Sequence, residues 1–192
     1  STQSRSSAAS DVYKRQDEEL LAALRGAGCY LVLYGVESGS QRVLDRMGKK
    51  TTLDQARRAF AWTVAAGMEA AAFFMFGNLG EEESDMRATV EFAKELDAAY
   101  ASFNVATPYP GTRFYEQVRE KLGEAFEGFD ARHAAYGDAA LLEKYIRKGY
   151  REFYLRPAYV WRRARRIRSL GDLGRAVKAG ADVVGRYVLG RT

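Results

Sequence analysis

The sequence predicts an α/β fold in which part of a parallel β-sheet is followed by an all-helical tail. Between residues 17 and 122, apolar runs of strand length alternate with stretches of helical period. After about residue 123 the alternation stops and only helical periodicity continues. Each apolar run ends in glycine, proline or small polar residues, and α/β proteins bind their ligands at such strand ends.

The first sixteen residues, "STQSRSSAASDVYKRQ", have neither helical nor strand periodicity. They are polar and rich in small side chains, so we interpret residues 1–16 as a disordered or non-native leader and exclude them from the fold. The rest of the sequence divides into a sheet-forming part, 17–122, and a helical part, 123–192.

The first strand is predicted at about residues 30–36. It follows a short helix in "DEELLAALRGAG", which carries acidic residues in its first turn and glycines at its end. The strand ends in Glu-Ser-Gly-Ser at 37–40, and a helix begins at once, with Val43, Leu44 and Met47 at helical spacing.

Two more strands are predicted at about 70–76 and 101–107, each preceded by a helix. The helix before the second strand opens with a capping box formed by Thr52 and Gln55, and it closes on Gly67, which tolerates a left-handed conformation. The connections are long enough for parallel pairing. We therefore expect three parallel strands side by side with helices on one face, and one edge strand without a partner.

The tail is predicted to be helical and is basic. A helix from about residue 139 should stop at Pro157, and two more helices are expected at about 158–169 and 172–189. Most of the excess positive charge lies here, within a net charge of +5. The simpler explanation of this charge is a solvated helix face. The more specific explanation is a surface that binds anionic lipid or nucleic acid.

Composition excludes several classes of protein. Cys29 is the only cysteine, so the chain has no internal disulfide and cannot build a multi-cysteine metal site by itself. His133 is the only histidine and has no evident nucleophile or metal-binding partner nearby in the sequence. We find no signal peptide and no apolar run of bilayer length, which makes a reducing cytoplasm the expected location.

Glu37 is the residue most suggestive of ligand binding, because a carboxylate at the carboxyl end of a buried strand is costly unless it accepts hydrogen bonds. A ribose diol would supply two donors, as it does to the acidic residue of dinucleotide-binding folds. A salt bridge to a neighbouring lysine or arginine would satisfy the carboxylate equally well. The residues alone do not favour ribose binding over a salt bridge for Glu37.

Three segments, in this order and spacing, resemble the second half of the radical S-adenosylmethionine (SAM) core. They are "YGVESGSQRVLDRMGKKTT", "GNLGEEESDMRATVEFAKEL" and "FNVATPYPGTRFYE". The likeness is closest to the class that carries a cobalamin-binding domain, which includes methyltransferases and the anaerobic porphyrin-ring cyclase. The tail segment "YREFYLRPAYVWRRARRIRS" resembles the helical region after the core in that class, and the resemblance spans about 17–170.

This resemblance implies a partial (β/α) barrel in which a three-cysteine loop holds a [4Fe-4S] cluster that cleaves SAM to a 5′-deoxyadenosyl radical. It also assigns four cofactor-binding residues of this chain. Glu37 would bond the ribose hydroxyls with Ser38 beside it, Lys49 would pair with the methionine carboxylate, and Gly77 would line the adenosine pocket. The strand ending near Thr107 would line that pocket too.

The chain departs from the family pattern in two ways. The family usually has Gly-x-Pro-Gly-Glu in the loop after the second strand, whereas this chain has "GNLGE". More seriously, the cysteine loop, the first strands and the cobalamin domain are missing. We therefore interpret the chain as the carboxyl-terminal fragment of a longer enzyme, inactive by itself, whose parent performs methyl transfer or cyclisation on a small molecule and takes electrons from a partner such as flavodoxin or ferredoxin.

Two other readings stay open from the sequence. One is a radical enzyme related to tRNA methylthiotransferases, although their fourth strand usually carries Gln where this chain has Glu37. The other is a non-catalytic module that binds a membrane surface or nucleic acid through the basic tail, with nucleic acid the less expected partner. Under the membrane reading, the cytoplasmic protein would also be membrane-peripheral.

Overall fold

The computed structural model describes residues 18–122 and 136–165, together with single positions 169, 174, 178, 180, 181, 183, 185 and 187. The expected leader, the loop around His133 and most of the helix expected at 172–189 lie outside the described residues.

The strands are β1 (Leu31–Glu37), β2 (Glu69–Phe76) and β3 (Tyr100–Val105). The helices are α1 (Glu18–Gly26), α2 (Gln41–Met47), α3 (Leu53–Ala65), α4 (Glu83–Leu96), α5 (Arg113–Leu122), α6 (Ala139–Tyr154) and α7 (Pro157–Ala164). The elements therefore follow the predicted alternation of strand and helix, with helices after it.

The three strands form one parallel sheet in the order β1-β2-β3. Leu31 pairs with Glu69, and Ala71 pairs with Tyr100, so the register brings the carboxyl ends of all three strands to the same edge. The predicted parallel pairing is confirmed. The three described strands form an open sheet, so closure into a barrel stays a prediction.

Local signals place most helix boundaries. The side chain of Thr52 accepts from the Gln55 backbone while Gln55 bonds back to Thr52, which confirms the capping box before α3. Gly67 after α3 has φ 75°, the left-handed value that was expected. The predicted break at Pro157 is confirmed. The helix α6 ends at Tyr154, and Pro157 forms the first turn of α7, where its missing N–H costs nothing.

One face of the sheet is buried under helices. Side chains that alternate along the strands, including Tyr34, Phe74 and Phe103, are at most 3% exposed and pack under α3, α4 and α6. On the other face, Leu33 is 56% and Phe73 is 39% exposed. The described helices thus cover one face of the sheet, as expected, and leave the other open.

The edge formed by β3 is covered by tyrosine hydroxyls from the tail. The hydroxyl of Tyr154 donates to the carbonyl of Ala101 at 2.8 Å and accepts from the Ala101 N–H at 3.0 Å. Tyr159 on α7 donates to the carbonyl of Ala99 at 3.0 Å. Burial raises the pKa of Tyr154, so its hydroxyl keeps the proton that it donates. We call this the tyrosine-capped edge.

Close approach of α6 to the sheet depends on Gly149. A Cβ at this position would lie 2.9 Å from the ring of Phe103, which is closer than side chains tolerate. The ring of Tyr150 meets the same phenylalanine edge-on at a centroid distance of 5.4 Å. The helix therefore docks through a glycine flanked by aromatic contacts.

The edge formed by β1 has no strand beside it among the described residues. Tyr30 is 72% exposed at its beginning, and Leu33 lies exposed within it. Near the carboxyl end of β1, the Lys49 ammonium donates a hydrogen bond to the carbonyl of Gly35. The sequence predicts one edge strand without a partner, and we call this edge of the described sheet the open edge.

No helix in the described part of the chain is both long and apolar enough to cross a membrane.

Candidate functional site at the carboxyl ends of the strands

Glu37 ends β1 in an unusual backbone conformation. Its φ is 69°, and the pairing with β2 shifts by one residue between Gly35 and Glu37. A left-handed glutamate costs about 1 kcal/mol or more, and such positions concentrate at functional sites. The irregularity turns the Glu37 carboxylate back over Gly35, where a Cβ would lie 2.5 Å from its Oε1 atom.

The Glu37 carboxylate is paired with Lys49. The Lys49 Nζ atom lies 2.7 Å from Oε1, and the two side chains are only 15% and 19% exposed, lysine first. This is the salt bridge that sequence reasoning left open as one alternative. The other oxygen, Oε2 of Glu37, accepts no hydrogen bond from any described residue, so one carboxylate oxygen remains for a ligand.

The Ser-Gly-Ser that follows Glu37 is fastened to α4. The hydroxyl of Ser38 is fully buried and lies 3.1 Å from Thr89 Oγ1, and the Gly39 N–H donates to the same oxygen at 2.9 Å. A Cβ on Gly39 would lie 2.6 Å from the carbonyl oxygen of Ala88. Ser40 completes the attachment by donating to Asp85 at 2.7 Å. Small residues are needed here because the loop touches a helix backbone.

Asp85 is the charged centre of this attachment. Burial by itself would raise the pKa of Asp85, but hydrogen bonds from the Glu82 N–H, Ser40 and Arg42 outweigh burial and lower it. The carboxylate therefore stays ionised and holds α2, through Arg42, against the start of α4. The loop that carries Glu37 is thus held by neutral and charged hydrogen bonds together.

Gly77 begins the second strand-end loop and has φ 88°. Its N–H donates to Glu81 Oε2 at 2.7 Å, and the Asn78 N–H donates to the same oxygen at 3.0 Å. Glu81 Oε1 is buried without a partner in the described residues, and burial raises the pKa of Glu81 to about 7. The backbone donors of this loop are therefore held by its own glutamate.

A cavity of about 220 Å³ lies between the ends of β2 and β3 and the start of α5. Its lining comprises Arg46, Met47, Met75, Asn78, Leu79, Ala106, Thr107, Thr112, Arg113, Phe114 and Gln117. Thr107 is part of its lining, whereas Glu37, Lys49 and Gly77 are not. The roles assigned to Glu37, Ser38, Lys49 and Gly77 therefore stay predictions.

Arg113 and Gln117 were not singled out from the sequence. They follow the rigid "TPYPGT" turn and are four residues apart on α5, so they lie on one face of that helix. This spacing was the one available signal. It is weak because polar residues at such intervals are common on solvated helices.

Three arginines of the basic tail are occupied within the protein. Arg156 donates to Asp97 and to the carbonyl of Lys94, Arg162 pairs with the same aspartate, and Arg163 lies 4.7 Å from the ring centre of Tyr100. These contacts favour a structural role for this part of the basic stretch.

No group of three or more metal-ligating side chains occurs in the described residues. The whole sequence contains one cysteine and one histidine, so it cannot itself supply three thiolates to an iron–sulfur cluster.

Comparison with known proteins identifies relatives of the chain. A family model of the radical SAM superfamily matches residues 7–93. An uncharacterized methyltransferase of Pyrococcus horikoshii is 34% identical over 148 residues, covering 73% of this chain and 32% of that protein. The anaerobic magnesium-protoporphyrin IX monomethyl ester cyclase of Cereibacter sphaeroides is 29% identical over 193 residues, covering 92% of this chain and 30% of that protein.

Among solved structures, the radical SAM methyltransferase TsrM from Kitasatospora setae, with its tryptophan substrate and the SAM analogue aza-SAM, matches with a TM-score of 0.55. The sequences are 19% identical, and the match covers 76% of this chain and 35% of TsrM, so the likeness concerns the fold. The chain spans about a third of the length of these relatives.

Proposed function

The chain belongs to the radical SAM superfamily, and on this premise we propose that it forms the SAM-binding carboxyl-terminal half of the core of a larger enzyme. The observation that carries the proposal is the Glu37–Lys49 pair, held at the end of β1 with one carboxylate oxygen that no described residue bonds. The parent enzyme would perform methyl transfer or cyclisation on a small molecule, with cobalamin as a further cofactor, because proteins of these kinds are among its relatives.

The residues at the strand ends fit a bound nucleoside. The free Oε2 of Glu37 would accept from a ribose hydroxyl, while Oε1 keeps its bond to Lys49. Ser38 would act by positioning, since its buried hydroxyl holds the loop on α4. Lys49 is a cation at the rim of the same end of the sheet and would attract the carboxylate of the methionine moiety.

Bound SAM supplies a 5′-deoxyadenosyl radical or a methyl group in this superfamily. The cluster that activates it would be held by cysteines outside these 192 residues, since the chain has one. Electrons would come from a reducing partner such as flavodoxin or ferredoxin. The contribution of this chain is to orient the nucleoside and to fix its charged end.

The first prediction tests Glu37. S-adenosylhomocysteine, a stable analogue without the transferable methyl group, is titrated into isotopically labelled protein and the affinity is read from NMR chemical shifts. Glu37→Gln should weaken binding about tenfold, because an acceptor in a charge-assisted hydrogen bond is exchanged for an amide. Lys49→Met should weaken it less, because the ammonium already bonds Glu37 and the carbonyl of Gly35 and therefore offers a weaker attraction to the ligand.

Glu95→Gln is the matched control. It makes the same charge change on α4, where Glu95 pairs with Arg57 on the surface, and it should leave the affinity unchanged. Equal binding by the parent and Glu37→Gln would show that the carboxylate is only the ion-pair partner of Lys49 and would remove the site assignment.

Membrane contact through the tail remains a separate prediction. Its support is an outward face of α7 on which Trp161 is 67% and Val160 is 52% exposed. Retention on anionic vesicles at physiological salt would support it, and loss of that retention in Trp161→Ser would locate it. Absence of retention in the parent protein would remove it.

A further inference from the structure

The cavity at the strand ends is lined by positive charge without any acidic side chain. Arg46 and Arg113 both face it, and its other polar groups come from Asn78, Thr107, Thr112 and Gln117. None of its eleven lining residues is an aspartate or a glutamate. A partly enclosed space with this charge attracts anions.

The guanidinium of Arg113 is not used by the fold that the structure describes. It has no ion pair or hydrogen bond in residues 18–122 or 136–165, whereas Arg119, two turns further along α5, pairs with Glu116 at 3.1 Å. Arg113 lies against the end of α2, where its Nη1 atom would be 3.4 Å from a Cβ on Gly48. Arg46 donates one N–H to the carbonyl of Gly80 at 3.1 Å.

The rest of the lining is apolar. Met47 and Met75 contribute flexible thioethers, and Leu79, Ala106 and Phe114 complete the surface. Thioethers pack well against aromatic rings. An apolar cavity of roughly 150 Å³ holds benzene, so about 220 Å³ has room for one ring and a small acidic group.

We propose that this cavity binds the acidic end of the parent enzyme's substrate, with an apolar or aromatic body against the methionines and a carboxylate or phosphonate on Arg113. The proposal deepens the proposed function and rests on it for the identity of the ligand as substrate. A guanidinium presents paired N–H donors in the geometry that a planar oxyanion accepts. Arg46 adds a second positive charge on the same side.

The methionines make the proposal directly measurable. The chain has four, of which Met47 and Met75 line the cavity and Met68 and Met86 are buried elsewhere. Protein labelled with ¹³C at the methionine methyl groups is titrated with 3-phenylpropionate, with its neutral amide 3-phenylpropanamide, and with 2-phenylethylphosphonate. We expect the two cavity methyl signals to move on addition of acid while the other two stay in place.

The acid should bind at least about fivefold more tightly than the amide, and the stronger of the two acids identifies the preferred oxyanion. Arg113→Gln should lower the affinity for the acid about tenfold, to the level of the amide. Arg119→Gln removes the same charge from the same helix and should have no effect. Arg113→Lys keeps the charge without the paired donors and should fall between Arg113→Gln and the parent protein.

Three results would overturn the proposal: no movement of the Met47 and Met75 signals, equal affinity for acid and amide, or unchanged binding in Arg113→Gln. Adenosine is also added. If it displaces the acid and binds Arg113→Gln as tightly as the parent, the cavity is a nucleoside site and the proposal is wrong. Because the acid and amide probes need neither Glu37 nor SAM, failure here is distinguishable from failure of the proposed function.

Discussion

The two edges of the sheet differ in whether their backbone groups have hydrogen-bond partners. At the tyrosine-capped edge, side-chain hydroxyls from α6 and α7 bond backbone groups of β3 and of Ala99 just before it, which a further strand would otherwise pair. At the open edge, β1 presents exposed Tyr30 and Leu33 and has no neighbouring strand in the described residues. The backbone groups at the β3 edge are therefore hydrogen-bonded to side chains, whereas those at the β1 edge can still pair with another strand.

This difference teaches where the sheet stops and where it can continue. A hydroxyl that both donates and accepts satisfies a strand residue without offering a new edge, so the helical tail terminates the sheet at β3. An exposed strand edge recruits further strands. We therefore expect the strands missing from the proposed barrel to join at β1.

The largest expected change in stability comes from a substitution that disrupts the tyrosine-capped edge. Gly149→Leu should lower the free energy of unfolding by about 3 kcal/mol, because the new side chain would overlap the Phe103 ring and push α6 off β3. Urea unfolding measures the change. Gly26→Leu at the end of α1 is the control, since nothing lies within 4 Å of a Cβ there. Equal stability of the two variants would contradict the docking.

The next effect concerns Glu81 in the loop after β2, the strand that lies between the two edge strands. The pKa of Glu81, after β2, is raised to about 7 by burial, so the folded protein holds a proton that the unfolded chain releases above its ordinary pKa of 4.5. Stability from this group is present below pH 4.5 and is lost as pH rises to about 7. Relative to the parent, Glu81→Gln should gain about 3 kcal/mol between pH 4.5 and pH 8.

Urea unfolding of parent and variant across this range measures the difference. The Glu83 carboxylate gives a control of opposite sign, because its hydrogen bonds to Lys144 and Tyr145 lower its pKa. Relative to the parent, Glu83→Gln should be less stable by a constant amount above pH 4.5, and this deficit should shrink only as pH falls below 4.5 and the carboxyl becomes protonated. A pH-independent difference for Glu81→Gln would show that this carboxyl is ionised throughout.

A smaller effect isolates the hydroxyls themselves. Tyr154→Phe keeps the ring but leaves the Ala101 N–H and carbonyl without their partner, which should cost about 2 kcal/mol. Tyr115→Phe on α5 removes a hydroxyl without a partner among the described residues and should cost little. Thermal unfolding of both variants compares them, and equal midpoints would mean that solvent replaces the Tyr154 hydroxyl without loss.

The smallest effect on stability should come from the open edge, where the change appears in association instead. Leu33→Lys places a charge on an exposed position of β1 and should reduce self-association, with stability changed by less than about 0.5 kcal/mol. Val64→Lys on α3 is equally exposed and away from any edge. Sedimentation velocity over a concentration series should distinguish the two variants. Identical association would show that β1 does not recruit other chains.

The sequence predicts the features that depend on local patterns. The three strands, their parallel pairing and the capping box at Thr52 follow from periodicity and residue type over a few positions. The tyrosine-capped edge was not predicted, because in the sequence Tyr154 and Tyr159 are only aromatic residues of predicted helices, which says nothing of the partners of their hydroxyls. The break between α6 and α7 was predicted at Pro157, because proline cannot continue a helix but fits the first turn of the next one.

The candidate site divides in the same way. Glu37 was recognised because its position at a strand end is a local property, but its pairing with Lys49 depends on how a turn and a bulge fold back. The exposure of Arg113 to a cavity depends on three separate elements meeting. Such contacts between distant residues are decided by packing, which a single sequence does not display.

The attachment of the Ser38–Ser40 loop to α4 has a kinetic consequence. Three hydrogen bonds and a glycine in contact with a helix backbone hold the Glu37 turn in place before any ligand arrives. A ligand arriving at this end of the sheet would therefore wait for no closure of this loop. Its association rate constant should lie at or above the roughly 10⁵–10⁷ M⁻¹s⁻¹ of ordinary docking, and differences in affinity among ligands should appear in how long each one stays.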